Sequence, residues 1–279
     1  MPEQQVVVVG GGVAGAAVAF AAARRGLAVT VVDAACPGPA TAAGAGIVQP
    51  WSAATDGPYH DLYAQAAAHY PQVLDRLAEA GVGSVDFRRT GSLVVSADPG
   101  VLTAAEQRLA RRRAAGAPTG VVERLASVQA RELFPPLAPG LGAVYVPGGG
   151  RVDGRTLRDG LLSGARTHHA VVRPGRAVLV PAGGAPHVRI ETPDGTDELA
   201  PDAVVVAAGA GPTRCSPRSG AGSASSPSAG RSPTCASTAS TPATGPACCR
   251  WPGTTSSRST TRGWWPVPPA RPAAASTSG

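Results

Sequence analysis

Three glycines at a fixed spacing near the amino end give the clearest chemical signal in this sequence. The pattern is Gly-x-Gly-x-x-Gly, in which the first glycine permits a tight turn, the second lets a pyrophosphate approach the backbone, and the third lets a helix pack against a strand. The N–H groups that begin a following helix attract the same anion. The loop therefore supplies six candidate cofactor-binding residues, Gly10, Gly11, Gly12, Val13, Ala14 and Gly15.

The elements predicted around this loop are the ones that a dinucleotide site needs. Residues 6–9 are four valines, typical of a buried parallel strand. Residues 16–25 are rich in alanine and favour a helix that Gly26 ends, and residues 27–32 predict a second strand. Asp33 closes that strand, where its carboxylate can accept hydrogen bonds from ribose hydroxyls and would repel the 2′-phosphate of NADP. We predict a dinucleotide-binding βαβ unit; a glycine-rich turn without a ligand is the alternative, and FAD and NAD both stay open.

The same stretch permits a second interpretation, a signal anchor, because residues 4–23 carry no charge. Glu3 is the only charged residue before it, and three consecutive glycines weaken a membrane-spanning helix. We therefore predict no integral membrane span and a cytoplasmic protein.

Hydrophobic periodicity predicts further helices and strands along the chain. The expected helices are 61–80, 101–115, 121–133 and 156–167. The expected strands are 85–89 and 92–97, joined as a hairpin around Thr90-Gly91, then 143–146, 171–180, 187–191 and 204–207, with a turn at Asp194-Gly195.

The net charge of +7 is confined to one end of the chain. Residues 1–211 hold 18 arginines and 18 acidic residues, whereas residues 212–279 hold seven arginines and no acidic residue. Charge by itself indicates solubility and non-specific binding. Because the excess lies in one unusual segment, we predict no nucleic-acid partner.

The composition of that segment also differs from the rest of the chain. Residues 212–279 contain no Leu, Ile, Met, Phe or Tyr, but they hold 14 Ser, 11 Pro, four of the five Cys and three of the four Trp. One interpretation is a Ser/Pro tail largely without regular structure. The other is a shift of the reading frame near Gly211, because 21 Ser, Cys and Trp codons then become codons of core-type residues. The cysteines match neither a disulfide framework nor a zinc site, and we predict no metal.

Five segments resemble the D-amino-acid oxidase and glycine oxidase family of FAD enzymes. The resemblance covers nearly all of residues 5–210 and rests on VVVVGGGVAGAAVAFAAARRGLAVTVVDA at the start, ATAAGAGIVQPW at 40–51, TGSLVVSAD at 90–98, GGRVDGRTL at 149–157 and VVVAAGA at 204–210. It implies an α/β fold with a discontinuous, Rossmann-like FAD-binding domain, 1–55 and 145–211. A partial α+β substrate region, 56–144, would be interleaved, and 212–279 would form an aberrant tail.

The resemblance also implies a cofactor, a reaction and further site residues. The cofactor is FAD, and the reaction moves hydride from the α-carbon of a small amine or amino acid to flavin N5, after which the imine hydrolyses. Cofactor-lining residues would be Ala42, Ala43, Gly44 and Gly46 along the pyrophosphate and flavin, the backbone near Val178 at the adenine, and Ala208 and Gly209 along the dinucleotide. The family's substrate-carboxylate arginine and nearby tyrosine would fall in the altered C-terminal part, so the catalytic residues stay unknown.

Two other functions remain open: a truncated or frameshifted, non-catalytic remnant of such an enzyme, and an NAD-dependent dehydrogenase. The oligomeric state and the electron acceptor also remain open. Four further features have structural interpretations: a surface turn at His168-His169, a small hydrophobe at Cys36, a solvated helix face at Arg111-Arg112-Arg113, and either pocket lining or packing at Trp51.

Overall fold

A computed structural model of the chain describes residues 4–180 and 186–209. Its helices are α1 (Val13–Ala23), α2 (Ala40–Ala43), α3 (Pro58–Glu79), α4 (Pro99–Ala114), α5 (Ser127–Leu133) and α6 (Gly154–Thr167). Its strands are β1 (Gln5–Val9), β2 (Ala28–Asp33), β3 (Ile47–Val48), β4 (Ser92–Ser96), β5 (Glu123–Leu125), β6 (Gly142–Val146), β7 (Gly150–Arg151), β8 (Val171–Pro174), β9 (Arg176–Val180), β10 (His187–Thr192), β11 (Gly195–Leu199) and β12 (Ala203–Val206). The predicted tail, 212–279, lies outside the described residues.

A four-stranded parallel sheet, ordered β12-β1-β2-β8, contains the predicted βαβ unit. Val7 and Val8 of β1 are buried, which explains the continuous valine run. The chain proceeds from β1 to β2 and β8 on one side, then returns in β12 to the other side of β1. The strand order therefore reverses between β1 and β12, and ligands of such sheets bind beyond the carboxyl ends of the strands at this point.

An antiparallel sheet, β11-β10-β9, follows in the same part of the molecule. The prediction of one strand over 171–180 is wrong, because Gly175 divides it into β8 and β9. Gly175 has a φ of +147° and its N–H donates to the carbonyl of Asp33 at 3.0 Å. Val188 and Ile190 of β10 pack with Val7 and Val32 in one core.

The second part of the molecule centres on an antiparallel sheet, β4-β6-β5, while β3 pairs with β7. Its core contains Trp51, α4 and β6 side chains. The predicted hairpin of 85–89 with 92–97 is wrong: β4 pairs with β6, and Arg88 forms only an isolated bridge to Arg151. An alternating hydrophobic pattern indicates a strand but does not specify which strand it pairs with. The turn residues Thr90-Gly91 therefore suggested a local hairpin that does not form.

The predicted helix over 121–133 is also wrong in its first half. Residues 123–125 form β5, which pairs with β6, and the helix begins at Ser127. The Gln129 side chain accepts a hydrogen bond from the N–H of Ala126 at 2.9 Å and thereby fixes that start. The other predicted helices and strands occur with small shifts of their ends.

The described residues divide into two compact units. The first comprises 4–47, 69–87, 152–180 and 186–209, and the second comprises 48–68 and 88–151. The functional domains 1–55 with 145–211, and 56–144, stay a prediction. Among the described helices none is long and apolar enough to cross a bilayer. The uncharged stretch 4–23 is instead divided between β1 and α1.

Candidate dinucleotide-binding site

The glycine loop lies at the carboxyl end of β1, between β2 and β12, and leads directly into α1. The N–H of Gly10 donates to the carbonyl of Val32 at 2.8 Å, and the N–H of Ala207 donates to that of Val9 at 2.8 Å. Gly12 is the N-cap of α1, without a side-chain cap, and the first turn carries no acidic residue. The helix start therefore presents N–H groups and partial positive charge to an anion.

Two of the glycines are required by close backbone packing. Gly10 has a φ of +104°, and a Cβ built on it would lie 2.6 Å from the carbonyl oxygen of Ala207. A Cβ on Gly15 would lie 1.9 Å from the carbonyl oxygen of Gly10. The tight turn and the close helix–strand contact that the motif predicts are therefore both present.

A Cβ at Gly12 would have more room than one at Gly10, Gly11 or Gly15. A Cβ built on Gly12 would meet a single neighbouring atom, Thr41 Oγ1, at 3.4 Å. The same hydroxyl oxygen accepts a hydrogen bond from the N–H of Val13 at 3.1 Å. A side chain at Gly12 would fill this space, while glycine leaves it open to a ligand. Thr41 was missed by the sequence reasoning; its only signal was a hydroxyl in an otherwise small-residue loop.

Asp33 and Gly11 are in close contact. A Cβ on Gly11 would lie 2.5 Å from Asp33 Oδ2, so a side chain at this position would displace the carboxylate. Asp33 Oδ1 accepts a hydrogen bond from the N–H of Ala35 at 3.0 Å. The carboxylate thus stands at the end of β2, beside the loop, as the spacing predicts.

Arg158 of α6 also contacts the glycine loop and Asp33, and no motif in the sequence predicts this contact. Its Nε donates to the carbonyl of Gly11 at 2.6 Å, and its Nη2 lies 3.5 Å from Asp33 Oδ2. The two side chains are 35% and 29% exposed, so this ion pair lies at the rim of the site.

The loop 40–46 contacts the glycine loop through the hydroxyl of Thr41, which accepts the N–H of Val13. Arg155 of α6 donates to the carbonyl of Ala42 at 3.0 Å. Gly46 has a φ of +67°, its carbonyl accepts the N–H of Val152 at 2.9 Å, and a Cβ on it would lie 1.8 Å from the carbonyl oxygen of Val152. Cofactor contacts of this loop remain predictions for Ala42, Ala43, Gly44 and Gly46.

The remaining predicted site residues lie in two places. Ala208 follows β12, and its Cα would be 2.8 Å from a Cβ on Gly10; Gly209 comes next with a φ of +59°. Both therefore follow the strand beside the glycine loop. Val178 lies in β9, opposite Arg189 of β10. An adenine contact at Val178 remains a prediction.

The start of α6, the helix that carries Arg155 and Arg158, is fixed by its N-cap residue. Asp153 Oδ1 accepts hydrogen bonds from the N–H of Thr156 at 2.8 Å and from its hydroxyl at 3.0 Å. These bonds favour the ionised carboxylate and hold the pKa of Asp153 below its usual value. The anionic cap also lies favourably at the positive end of the helix.

The solvated helix face predicted at Arg111-Arg112-Arg113 is wrong for its central residue. Arg112 is buried and donates to the carbonyls of Trp51, Ala53 and Thr55 at 2.7–3.0 Å and to Asp56 at 2.5 Å. Its helical spacing from Leu102, Ala105 and Leu109 places it on the buried face of α4. Carbonyl and carboxylate acceptors stabilise this buried guanidinium.

The structure also shows the environments of Cys36, Trp51 and the His168-His169 pair. Cys36 is exposed, so its interpretation as a packed small hydrophobe is wrong. Trp51 is buried in the core of the second unit, and its indole N–H donates to the carbonyl of Gly148 at 3.1 Å, which supports packing. His168 and His169 lie in the turn after α6, as predicted. Within the described ranges, no group of three His, Cys, Asp or Glu side chains could hold a metal ion.

The strand order and the glycine loop are those of α/β proteins that bind dinucleotides. The sequence model of the FAD dependent oxidoreductase family matches residues 5–241. The chain belongs to this family, and the family resemblance read from the sequence is confirmed.

Individual relatives agree with this family. The chain is 36% identical over 205 residues to the "Uncharacterized oxidoreductase YurR" of Bacillus subtilis (strain 168), covering 73% of this chain and 54% of that protein. Iminodiacetate oxidase (IdaA) from Chelativorans sp. BNC1 is 36% identical with a TM-score of 0.69, over 75% of this chain and 56% of that one. Glycine oxidase from Geobacillus kaustophilus is 27% identical with a TM-score of 0.62, over 76% and 57%. The chain spans little more than half the length of these relatives.

Proposed function

We propose that this chain binds FAD at the carboxyl ends of β1, β2 and β12 and is built for the oxidation of a small amine or amino acid. Bound flavin would accept hydride from the substrate's α-carbon, and the imine product would hydrolyse. Two similar proteins support the substrate class, because they are named as oxidases of iminodiacetate and of glycine, both small amino acids.

The chain's own residues would hold the cofactor in three ways. The N-terminus of α1, from Gly10 to Gly15, would bind the pyrophosphate beside Thr41. Asp33 would accept hydrogen bonds from the adenosine ribose. The backbone of 42–46 and of Ala208-Gly209 would line the dinucleotide, and that near Val178 would face the adenine.

The uncapped N-terminus of α1, which lies where the strand order reverses between β1 and β12, is the observation that carries this proposal, because such a helix start offers N–H groups to a pyrophosphate. The test is to add FAD, FMN or NAD to the purified chain and to measure flavin fluorescence, absorbance and melting temperature. We expect FAD to be retained and to raise the melting temperature, since ligand at 100 times its Kd adds about 2.7 kcal/mol of stability.

The outcomes separate the candidate functions. Stabilisation by NAD without flavin retention would replace the proposal with an NAD-dependent dehydrogenase. A colourless protein that none of the three ligands stabilises would overturn the proposal. FAD retention without flavin reduction by any of a panel of small amines and amino acids, glycine and iminodiacetate included, would favour a non-catalytic remnant.

The non-catalytic alternative is favoured by a specific observation, the composition of residues 212–279. We propose that this segment is read in a shifted frame that begins near Gly211. The support is that Thr254 to Gly263, TTSSRSTTRG, can be restored to HYLVPFDDSR, a sequence with ordinary core-type residues. Sequencing the coding DNA around codon 211 tests this: we expect a nearby in-frame alternative, and its absence would refute the shift.

A further inference from the structure

The guanidinium of Arg158 connects two parts of the candidate site that are far apart in the sequence. Its Nε donates at 2.6 Å to the carbonyl of Gly11, which is 147 residues away in the sequence. On the other side, Nη2 lies 3.5 Å from Asp33 Oδ2, and Nη1 contacts Asp159 at 3.0 Å. The side chain therefore spans the glycine loop and the end of β2.

We propose that Arg158 is a positioning residue, which holds the carboxylate of Asp33 and the Gly11 peptide in the geometry that accepts the adenosine ribose. This inference rests on the proposed function. The N–H of Ala35 donates to Oδ1 of Asp33 at 3.0 Å, and Nη2 of Arg158 lies 3.5 Å from Oδ2 as an ion-pair contact. A carboxylate held at both oxygens loses less conformational freedom when it accepts the ribose hydroxyls.

The geometry, and not the charge, supports this role. Both partners are about one-third exposed, and ion pairs at such positions contribute little by Coulomb attraction alone. The planar guanidinium, however, offers Nε and Nη2 in a fixed fork that reaches a carbonyl and a carboxylate at once. A lysine ammonium at the same position lacks that fork, so Arg158→Lys should resemble Arg158→Gln.

The placement of Arg158 depends on α6. Asp153 fixes the start of this helix through Thr156, one turn before Arg158. Arg155, three residues earlier, donates to Ala42 and ties the same helix to the 40–46 loop. The guanidinium is therefore presented to Asp33 by a helix that is itself anchored at the site.

The test compares Arg158→Gln and Arg158→Lys with Arg166→Gln in the full chain. Arg166 is an exposed arginine in the last turn of the same helix, away from the glycine loop. Flavin fluorescence gives the Kd for FAD and for an FAD analogue whose adenosine lacks both ribose hydroxyls. The ratio of the two Kd values isolates the contribution of the ribose.

We expect both Arg158 variants to weaken FAD binding about tenfold, since ordering one otherwise free side chain on binding has an effect of that size. The analogue should lose less than about twofold, and Arg166→Gln should change neither Kd. Equal losses for FAD and the analogue would reveal a merely structural role and overturn the inference. If Arg158→Gln binds FAD as tightly as the wild type does, the role assigned to Arg158 is wrong but the proposed function stands. If the wild type binds neither FAD nor the analogue, the proposed function is wrong as well.

Discussion

Each glycine of the loop is required for a different physical reason. Gly10 has a positive φ and touches the backbone of Ala207, Gly11 touches the Asp33 carboxylate, and Gly15 touches the carbonyl of Gly10. A Cβ on Gly12 would meet only Thr41 Oγ1, at an ordinary contact distance of 3.4 Å. The motif therefore combines close packing at three positions with access at the fourth, and substitutions should separate these roles.

Gly15→Ala should weaken both folding and FAD binding. The new Cβ would lie 1.9 Å from the carbonyl oxygen of Gly10, so α1 must move away from β1. We expect a loss of about 1–3 kcal/mol in the free energy of unfolding, typical of overpacking, and at least a tenfold weaker FAD complex. Urea unfolding and flavin titration measure the two effects.

Gly83→Ala is the matched control, because no atom lies within 4 Å of a Cβ at that position. Its stability and FAD affinity should equal those of the wild type. Equal behaviour of the two variants would contradict the close packing assigned to Gly15.

Arg112→Met should be among the most destabilising single substitutions in the second unit. It leaves the carbonyls of Trp51, Ala53 and Thr55 without their guanidinium donor, and a buried acceptor left unsatisfied costs about 1–3 kcal/mol. The exposed neighbour offers a control, Arg113→Met, which should change stability by less than about 0.5 kcal/mol. Thermal unfolding of the two variants decides between a buried and a solvated role.

Arg112→Met should also change the pKa of the Asp56 carboxyl. The hydrogen bond from Arg112 lowers the pKa of Asp56, so ionised Asp56 stabilises the fold above its unfolded pKa, and this contribution is lost as pH falls through the lowered folded value. In Arg112→Met the pKa of Asp56 should return toward its ordinary value. NMR titration of the carboxyl measures the change, and an unchanged pKa would contradict the assigned cause.

At the scale of elements, α1 and α6 contribute different groups to the candidate site. α1 begins at the glycine loop, whereas α6 supplies two arginine side chains, and the two helices pack against each other. The alternation of strands and helices around the glycine loop was predictable because each element there pairs with a near neighbour in sequence. The partner of β4 was not predictable, because β6 lies about 50 residues later and the turn signal at Gly91 favoured a local hairpin.

Asp153→Ala should loosen the start of α6. Loss of an Asp N-cap costs about 1 kcal/mol, and FAD binding should weaken as well because Arg158 follows one turn later. Because the pKa of Asp153 is lowered in the folded state, its stabilising effect is present above about pH 4 and disappears as pH falls through the folded pKa. The stability difference between wild type and variant should therefore shrink in acid.

Asp98→Ala provides the comparison, since Asp98 caps α4 by accepting from the N–H of Gly100 at 2.8 Å. Its loss of stability should be similar, but FAD affinity should be unchanged. A pH-independent difference for Asp153→Ala would contradict the assigned titration.

At the scale of the whole molecule, charge and composition divide the chain near residue 211. The first part is electrically balanced, and the parallel sheet, the glycine loop and the arginines of α6 all belong to it. The family match begins at residue 5, within β1, so the candidate dinucleotide-binding site lies at the start of the matched region.

Replacing the seven arginines of residues 212–279 with glutamine should abolish retention on heparin or DNA at low salt. Non-specific binding to phosphates depends on the number of cationic side chains and falls steeply with salt. FAD affinity should stay within about twofold of the wild type. A variant that still binds DNA like the wild type would contradict the prediction of no nucleic-acid partner.

The sequence by itself determined the β1–α1–β2 unit, the position of its glycines, the acid at the end of β2 and the family. These features are set by short-range propensities, the spacing of residues along one loop and the local motifs that carry the resemblance. Only the tertiary structure decided that Thr41 and Arg158 join the site, that Gly11 touches Asp33, and that Arg112 is buried. Each of these depends on a contact between residues that are distant in the chain, because side chains are brought together by packing and not by spacing.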